Sequence, residues 1–323
     1  MKTFIIAEVG ANHNKNYNQA LQLINVAKNS GATAVKFQTY SSETLYVKNT
    51  PNFAGYININ ELIKNIELPR EWQKDLKNYC DSLDIEFMST PFDEKAVEEL
   101  VNLGVKKLKI AGFESTDFRF VEMVASAKLP LIISLGIGFK YEWLDKLLKL
   151  VSKYTNDVTL LHCNNAYPTP MKDIGLTTIK TLAADIRYKT GFSDHTTSTL
   201  TPSLAVALGA TTIEKHFTLS KHLPGPDHPF ALEPSELKEM VDLIVQTELS
   251  MIPQSNDLSE SEKPFSNAMR SVVSKCIIKK GEIFTVNNIT TKRPFLENSI
   301  PAYKFENILG EIAEKDYDED SFI

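Results

Sequence analysis

Cysteine is scarce: three in 323 residues, at positions 80, 163 and 276. An odd number at wide spacing excludes a disulfide framework and a cysteine-built zinc site, and suits reduced thiols in a cytoplasm, the expected location. No apolar run approaches the roughly 18–20 residues that a membrane-spanning helix needs, so no membrane is expected as a partner. No block of lysine and arginine stands out against a net charge of −6, which argues against nucleic acid and anionic membranes as well. A glycine-rich phosphate loop is also missing, so any bound anion must be held by side chains brought from separate segments. The opening MKTFIIAEVG has a short apolar stretch broken by Glu8 and no small-residue cleavage site after it, and reads as a first strand.

What is present is a globular composition, 42% hydrophobic and 24% charged, on a chain long enough for one large barrel plus a small module. Short β-branched runs alternate with helix-length amphipathic segments, the pattern of a parallel βα architecture. The runs are Phe4–Glu8, Ala34–Gln38, Glu86–Ser89, Lys107–Ile110, Pro130–Ser134, Val158–His162, Arg187–Gly191 and Thr212–His216. A helical segment such as YNQALQLINVAKNS or EPSELKEMVDLIVQTEL follows each one. Eight such units predict an α/β TIM (β/α)8 barrel over residues 1–250. Residues 251–265 are polar and rich in Ser, Asn and Pro, and read as a linker. Residues 266–323 alternate short strand-like runs with charged turns, which predicts a small β-rich domain.

A TIM barrel carries its chemistry at the C-terminal ends of the strands, and here all eight ends are polar. The first ends in Glu8, the second holds Lys36 and Gln38, the third runs into Ser89 and Thr90. The fourth has Lys109 and then Glu114, the fifth ends in Ser134, the sixth leads to HCNNAYPTP, the seventh to Ser193, Asp194 and His195, and the eighth to His216. Singly, Ser89, Thr90 and Ser134 read as residues satisfying local backbone groups. Two lysines inside strands, Lys36 and Lys109, are costly without anionic partners, and a bound phosphate or carboxylate would supply them. His195 and His216 end neighbouring strands about 4.8 Å apart, so both imidazoles can reach one divalent ion; two structural histidines bonded to adjacent carboxylates are the competing reading. His13, His222 and His228 fall in loops and read as solvated, while His162, inside the sixth strand, reads as structural.

The segments IIAEVGANHN, AVKFQTY, STPFD, KIAGFE, NNAYPTP, GFSDHT, EKHFTL and GPDH resemble, in this order, the sialic acid synthases, a family that includes N-acetylneuraminate, legionaminate and pseudaminate synthases. The tail KCIIKKGEIFTVNNITTKRP resembles the antifreeze-like (SAF) domain that follows the barrel in that family. The resemblance implies condensation of phosphoenolpyruvate with an N-acetylated hexosamine, such as N-acetylmannosamine, to a nine-carbon 2-keto acid and phosphate. It implies a divalent metal, usually Mn²⁺, on His195 and His216. Phosphoenolpyruvate would meet Lys36, Thr90, Lys109, Ser134, Asn165 and Ser193; the sugar would meet Gln38, Tyr167 and Asp227. Arg293 would reach in from the tail of a partner subunit in a domain-swapped homodimer. Either Glu8 or Glu114 could handle the water proton. KIAGFE is similar to the pseudaminate branch and GPDH to the N-acetylneuraminate and legionaminate branch, which leaves the sugar open. The rivals are a Schiff-base aldolase using Lys109 and a non-catalytic carbohydrate- or ice-binding protein.

Overall fold

Each strand of the first unit is built on period-two alternation, one face turned to the barrel interior and the other to the surrounding helices. The computed structural model describes residues 2–52 and 55–323, and the chain divides into two compact units, Met1–Met251 and Ile252–Ile323. The strands are β1 (Phe4–Glu8), β2 (Ala34–Thr39), β3 (Glu86–Pro91), β4 (Leu108–Ile110), β5 (Leu131–Leu135), β6 (Val158–Cys163), β7 (Lys189–Asp194) and β8 (Thr212–His216). All ladders are parallel, in the order β3-β2-β1-β8-β7-β6-β5-β4, and β4 also lies beside β3, which brings the two ends of the sheet together. The expected TIM barrel is the observed fold.

The helices begin and end where local chemistry satisfies them. Asn16 caps Tyr17–Ser30 by accepting from the backbone of Gln19, and Gly31 closes it at a φ of 88° that a side chain would resist. Asp93 and Gly104 serve Glu94–Leu103 in the same way. Apolar faces of the helices pack on the outward faces of the strands in one large core that includes Leu23, Val35, Leu100 and Leu237. Inside the barrel a second layer, Ile6, Ala34, Met88, Ile132 and Leu161, forms an apolar floor beneath the strand ends.

Two departures from the sequence reading stand out. The seventh strand runs from Lys189 to Asp194, displaced from the expected 187–191. Arg187 is instead held in the preceding turn by Asp185 and Asp145, at 2.5 and 2.7 Å. Between β2 and β3 two helices, Ser42–Leu45 and Ile59–Ile66, precede the one expected over residues 69–83, which is observed as Gln73–Ser82.

The second unit contains a two-stranded antiparallel sheet, β9 (Ser271–Ser274) with β10 (Ile289–Lys292). It has its own small core of Val272, Ile278, Phe284, Ile289, Ala313 and Tyr317. The polar stretch after Met251 falls within this unit, and a 3₁₀ turn, Lys263–Ala268, runs across position 265. Among the described residues no helix is long and apolar enough to cross a membrane.

Candidate active site

Alternation places Glu8, Lys36, Gln38, Thr90, Lys109, Ser134, Ser193, Glu214 and His216 on the inner face at the C-terminal ends of their strands, directly above the apolar floor. Lys36 and Lys109 are 2% exposed, and each meets protein carboxylates. Lys36 Nζ lies 2.7 Å from Glu8 Oε2 and 3.6 Å from Glu214 Oε2; Lys109 Nζ lies 3.4 Å from Glu214 Oε1. Glu214 thus stands between the two ammonium groups, and the Ser193 hydroxyl donates to it at 3.0 Å. Lys36 also donates to Thr90 Oγ1 at 2.8 Å, and Gln38 Nε2 donates to Glu8 Oε1 at 2.9 Å.

Glu214 was not singled out from the sequence. The anion that two strand lysines require is supplied in part by the protein itself rather than by a ligand alone. The signal was available: in TIEKH, period two puts Glu214 on the same face as His216.

The low-dielectric setting pulls these groups apart in pKa. Burial pushes Glu8 up to about 7, with the charge of Glu214 adding to the rise and Lys36 opposing it. Burial acts upward on Glu214 too, but Lys109 and Lys36 together outweigh it and hold that carboxyl at about 2. Glu214 is therefore the permanent anion of the site. Burial pulls Lys36 down, and Glu214 and Glu8 more than reverse it; for Lys109 burial prevails and its pKa is lowered. Glu114, in the turn after β4, is raised by burial to about 7, with Lys109 opposing.

The imidazoles of His195 and His216 lie with ring centroids 5.6 Å apart, and Tyr167 packs against His195 at 4.2 Å and His216 at 6.2 Å. His195 Nδ1 donates to the Asn164 carbonyl at 2.6 Å, which leaves Nε2 as the lone-pair nitrogen. His216 Nδ1 is buried without a hydrogen-bond partner, 3.9 Å from Asp227 Oδ2. Burial lowers both histidines, His195 to about 4, so both are neutral at pH 7, the form that binds metal. Two neutral imidazoles with free nitrogens fit a divalent cation completed by substrate and water oxygens. Among the described residues no group of three His, Cys, Asp or Glu side chains is arranged to hold an ion by itself.

The loops complete the mouth. Asp227 accepts from the Ala11 amide at 3.0 Å, and a side chain at Gly10, where φ is +53°, would come within 2.5 Å of Asp227 Oδ2 and 2.9 Å of His216 Cε1. Glycine is what lets the turn after β1 close against both. Asn165 Oδ1 accepts from the Ile137 amide at 2.7 Å, and its Nδ2 reaches the Tyr167 hydroxyl at 3.4 Å. Gly112 and Gly136 leave just enough room for that amide: a Cβ on Gly136 would sit 2.1 Å from Asn165 Oδ1. Ser134 Oγ and Glu114 Oε2 are buried with no partner, so the mouth holds polar atoms that the protein leaves unsatisfied.

Other sequence readings divide. Thr90 and Ser134 turn inward; Ser89 turns outward and shares a 2.7 Å hydrogen bond with Thr39. His13 and His228, expected to be solvated, are buried. His228 accepts at Nε2 from Asn14 at 3.0 Å and so carries its proton on Nδ1, 2.6 Å from the Thr218 hydroxyl. His162 lies 2.6 Å from the Ile174 carbonyl, a structural contact. Arg293 belongs to the second unit, where it is exposed immediately after β10. Two clefts of about 580 Å³ each open at the opposite end of the barrel around Lys2, away from this chemistry.

Known proteins resemble the chain over nearly its full length. The chain is 39% identical to the N,N'-diacetyllegionaminic acid synthase of Campylobacter jejuni subsp. jejuni serotype O:2, over 100% of this chain and 99% of that protein. It is 35% identical to the pseudaminic acid synthase of Campylobacter jejuni subsp. jejuni serotype O:23/36, over 98% and 93%. The crystal structure of N-acetylneuraminic acid (sialic acid) synthetase from Leptospira borgpetersenii serovar Hardjo-bovis superposes with a TM-score of 0.75 at 32% identity, covering 82% of this chain and 90% of that one. The model of the NeuB family matches residues 23–255, nearly the whole barrel and every strand from β2 to β8, and with these full-length likenesses it shows that this chain belongs to the NeuB family.

Proposed function

We propose that this chain is a nonulosonate synthase, which condenses phosphoenolpyruvate with the open-chain aldehyde of an acetamido sugar to give a nine-carbon 2-keto acid and phosphate. The observation that carries the reading is the pair of buried lysines, Lys36 and Lys109, converging on Glu214 directly beneath His195 and His216. Phosphate oxygens are the anions that two such ammonium groups can still take up, with Thr90, Ser134 and Ser193 hydroxyls and the Asn165 amide as further donors. The unpartnered Ser134 hydroxyl supports this assignment. Gln38, Tyr167 and Asp227 would meet the sugar.

A divalent ion on His195 and His216, with Mn²⁺ the expected one, would supply Lewis-acid polarisation of the aldehyde oxygen. The protein's own residues handle the rest. Lys36 and Lys109 orient phosphoenolpyruvate so that its C3 bonds to the aldehyde carbon, while positive charge develops at C2. Water then adds at C2 and gives up a proton, the aldehyde oxygen gains one, and the tetrahedral centre collapses to the 2-keto group by C–O cleavage, its remaining hydroxyl proton leaving with the phosphate. Glu114, with a pKa near 7 and a free Oε2, is suited to take the proton of that water; Glu8 is engaged by Lys36 and Gln38. The second unit would act as an antifreeze-like domain, with Arg293 reaching the barrel of a partner copy in a homodimer.

A second reading of the sugar is favoured by the 39% identity to a diacetyllegionaminic acid synthase. In that case the substrate is a diacetamido-trideoxyhexose rather than N-acetylmannosamine. The test is a panel of both sugar types with phosphoenolpyruvate and Mn²⁺, following phosphate release and product mass. The expected result is one nine-carbon keto acid with stoichiometric phosphate; no phosphate release with any acetamido sugar would overturn the proposal.

A further inference from the structure

Behind the two histidines, on the outer side of the barrel wall, lies a second charge pair that the mechanism above leaves unused. The β7–β8 register sets Ser193 opposite Glu214 and Asp194 opposite Lys215. Alternation turns the first pair into the mouth and the second away from it. Asp194 and Lys215 are each 1% exposed, and Lys215 Nζ lies 2.8 Å from Asp194 Oδ2. The same ammonium donates to the Thr196 carbonyl and, at 3.3 Å, to the Thr196 hydroxyl. Asp194 in turn accepts from the Thr196 amide at 2.8 Å and from the Thr201 hydroxyl at 2.6 Å.

The residues immediately before and after His195 are thus both fastened to the residue immediately before His216. His195 lies one position past the end of β7, so the strand ladder does not by itself fix it. His216 Nδ1 has no hydrogen-bond partner, so its ring is placed by its backbone and by packing on Tyr167 and Phe230. For stability alone, an apolar pair of similar volume would serve this buried position as well as an ion pair. What charged, directional bonds add is a fixed geometry.

We propose that Lys215, together with Asp194, is a positioning element that sets the separation of the His195 and His216 imidazoles and through it the affinity of the metal site. This rests on the metal reading given under the proposed function. Outer partners of metal ligands commonly change affinity by about 10–100-fold when removed, and a loss in that range is expected here.

The test is Mn²⁺ binding to the full chain, read as free Mn²⁺ by electron paramagnetic resonance, alongside thermal melts and phosphoenolpyruvate binding without metal. Lys215→Met alone strands a buried carboxylate, so the main variant is Asp194→Leu with Lys215→Met. Thr201→Val, which keeps both charges and removes one hydroxyl donor, is the milder arm. Expected are a cooperative melt, Mn²⁺ affinity reduced by about 10–100-fold in the double variant and by less in Thr201→Val, and phosphoenolpyruvate binding unchanged. If the double variant does not fold, Thr201→Val decides. Folded variants with wild-type Mn²⁺ affinity would overturn the proposal and leave the metal reading standing. Wild-type protein that binds Mn²⁺ no better than His195→Ala would overturn the metal reading, and this proposal with it.

Discussion

Replacing Glu214 by Gln preserves the shape of the side chain and an oxygen for Ser193, yet removes the charge that faces Lys109 at 3.4 Å and Lys36 at 3.6 Å. At an effective dielectric of about 20, each contact is worth roughly 4–5 kcal/mol of attraction, much of it offset by the cost of desolvating the carboxylate. Breaking a buried pair from one side typically destabilises by about 3–5 kcal/mol. For a unit of this size that corresponds to a melting temperature lower by roughly 6–20 °C. Thermal unfolding at pH 7, followed by circular dichroism, measures it. Because the folded-state pKa of Glu214 is depressed to about 2, the advantage of wild type is full above about pH 4.5 and fades as pH falls toward 2. In the proposed binding mode phosphoenolpyruvate would restore negative charge between the lysines, so it should raise the melting temperature of the variant more than that of wild type. A variant melting within about 2 °C of wild type would refute the electrostatic reasoning, and equal stabilisation by phosphoenolpyruvate would refute the phosphate assignment.

Gly136→Ala should destabilise by about 1–3 kcal/mol in a urea titration and raise KM for phosphoenolpyruvate, because the new Cβ must displace Asn165 and the Gly112 backbone; an unchanged midpoint would show that the loops yield freely. Glu114 is raised by burial, so wild type loses stability as pH climbs from about 4.5 through 7, while a glutamine there does not titrate. Glu114→Gln should therefore melt with wild type at pH 4 and above it at pH 8, and a constant difference across that range counts against the raised pKa. Co-expressing His195→Ala with Arg293→Ala should restore activity if Arg293 serves a partner's barrel; mixed dimers with confirmed exchange and no gain would place Arg293 in its own chain's site or in none.

The barrel was legible because its signals are local and repeated. TIEKH and FIIAE announce strands by composition, and YNQALQLINVAKNS was matched to the residue because Asn16 and Gly31 mark both ends. The displacement of β7 had a different origin. Arg187 and Tyr188 look strand-like in isolation, but the register with β6 and β8 decides which residues pair, and that information lies in other segments. The same holds for the site. Lys36, Lys109 and the two histidines could be picked out one at a time, since a charged residue inside an apolar run is conspicuous alone. Glu214 acquires its role only from the pairing of β8 with β7 and from the reach of two distant lysines, and His13 and His228 are buried by contacts with other segments, His13 near Phe37 and Trp72 and His228 on Asn14 and Thr218, that the sequence does not spell out.

The β7–β8 pairing also bears on how the chain finds its fold. A strand offset by a single residue turns every side chain to the opposite face. For β8 such an offset would carry Lys215 into the mouth beside Lys36 and Lys109, and would send Glu214 outward toward the greasy backs of the helices, away from both lysines. Three ammonium groups would then crowd together with Glu8 as the nearest carboxylate, and Asp194 would be left without its cation. The arrangement proposed to receive a phosphate is thus also the one that penalises misaligned strands, so the residues proposed to meet substrate would double as a check on assembly before any substrate arrives.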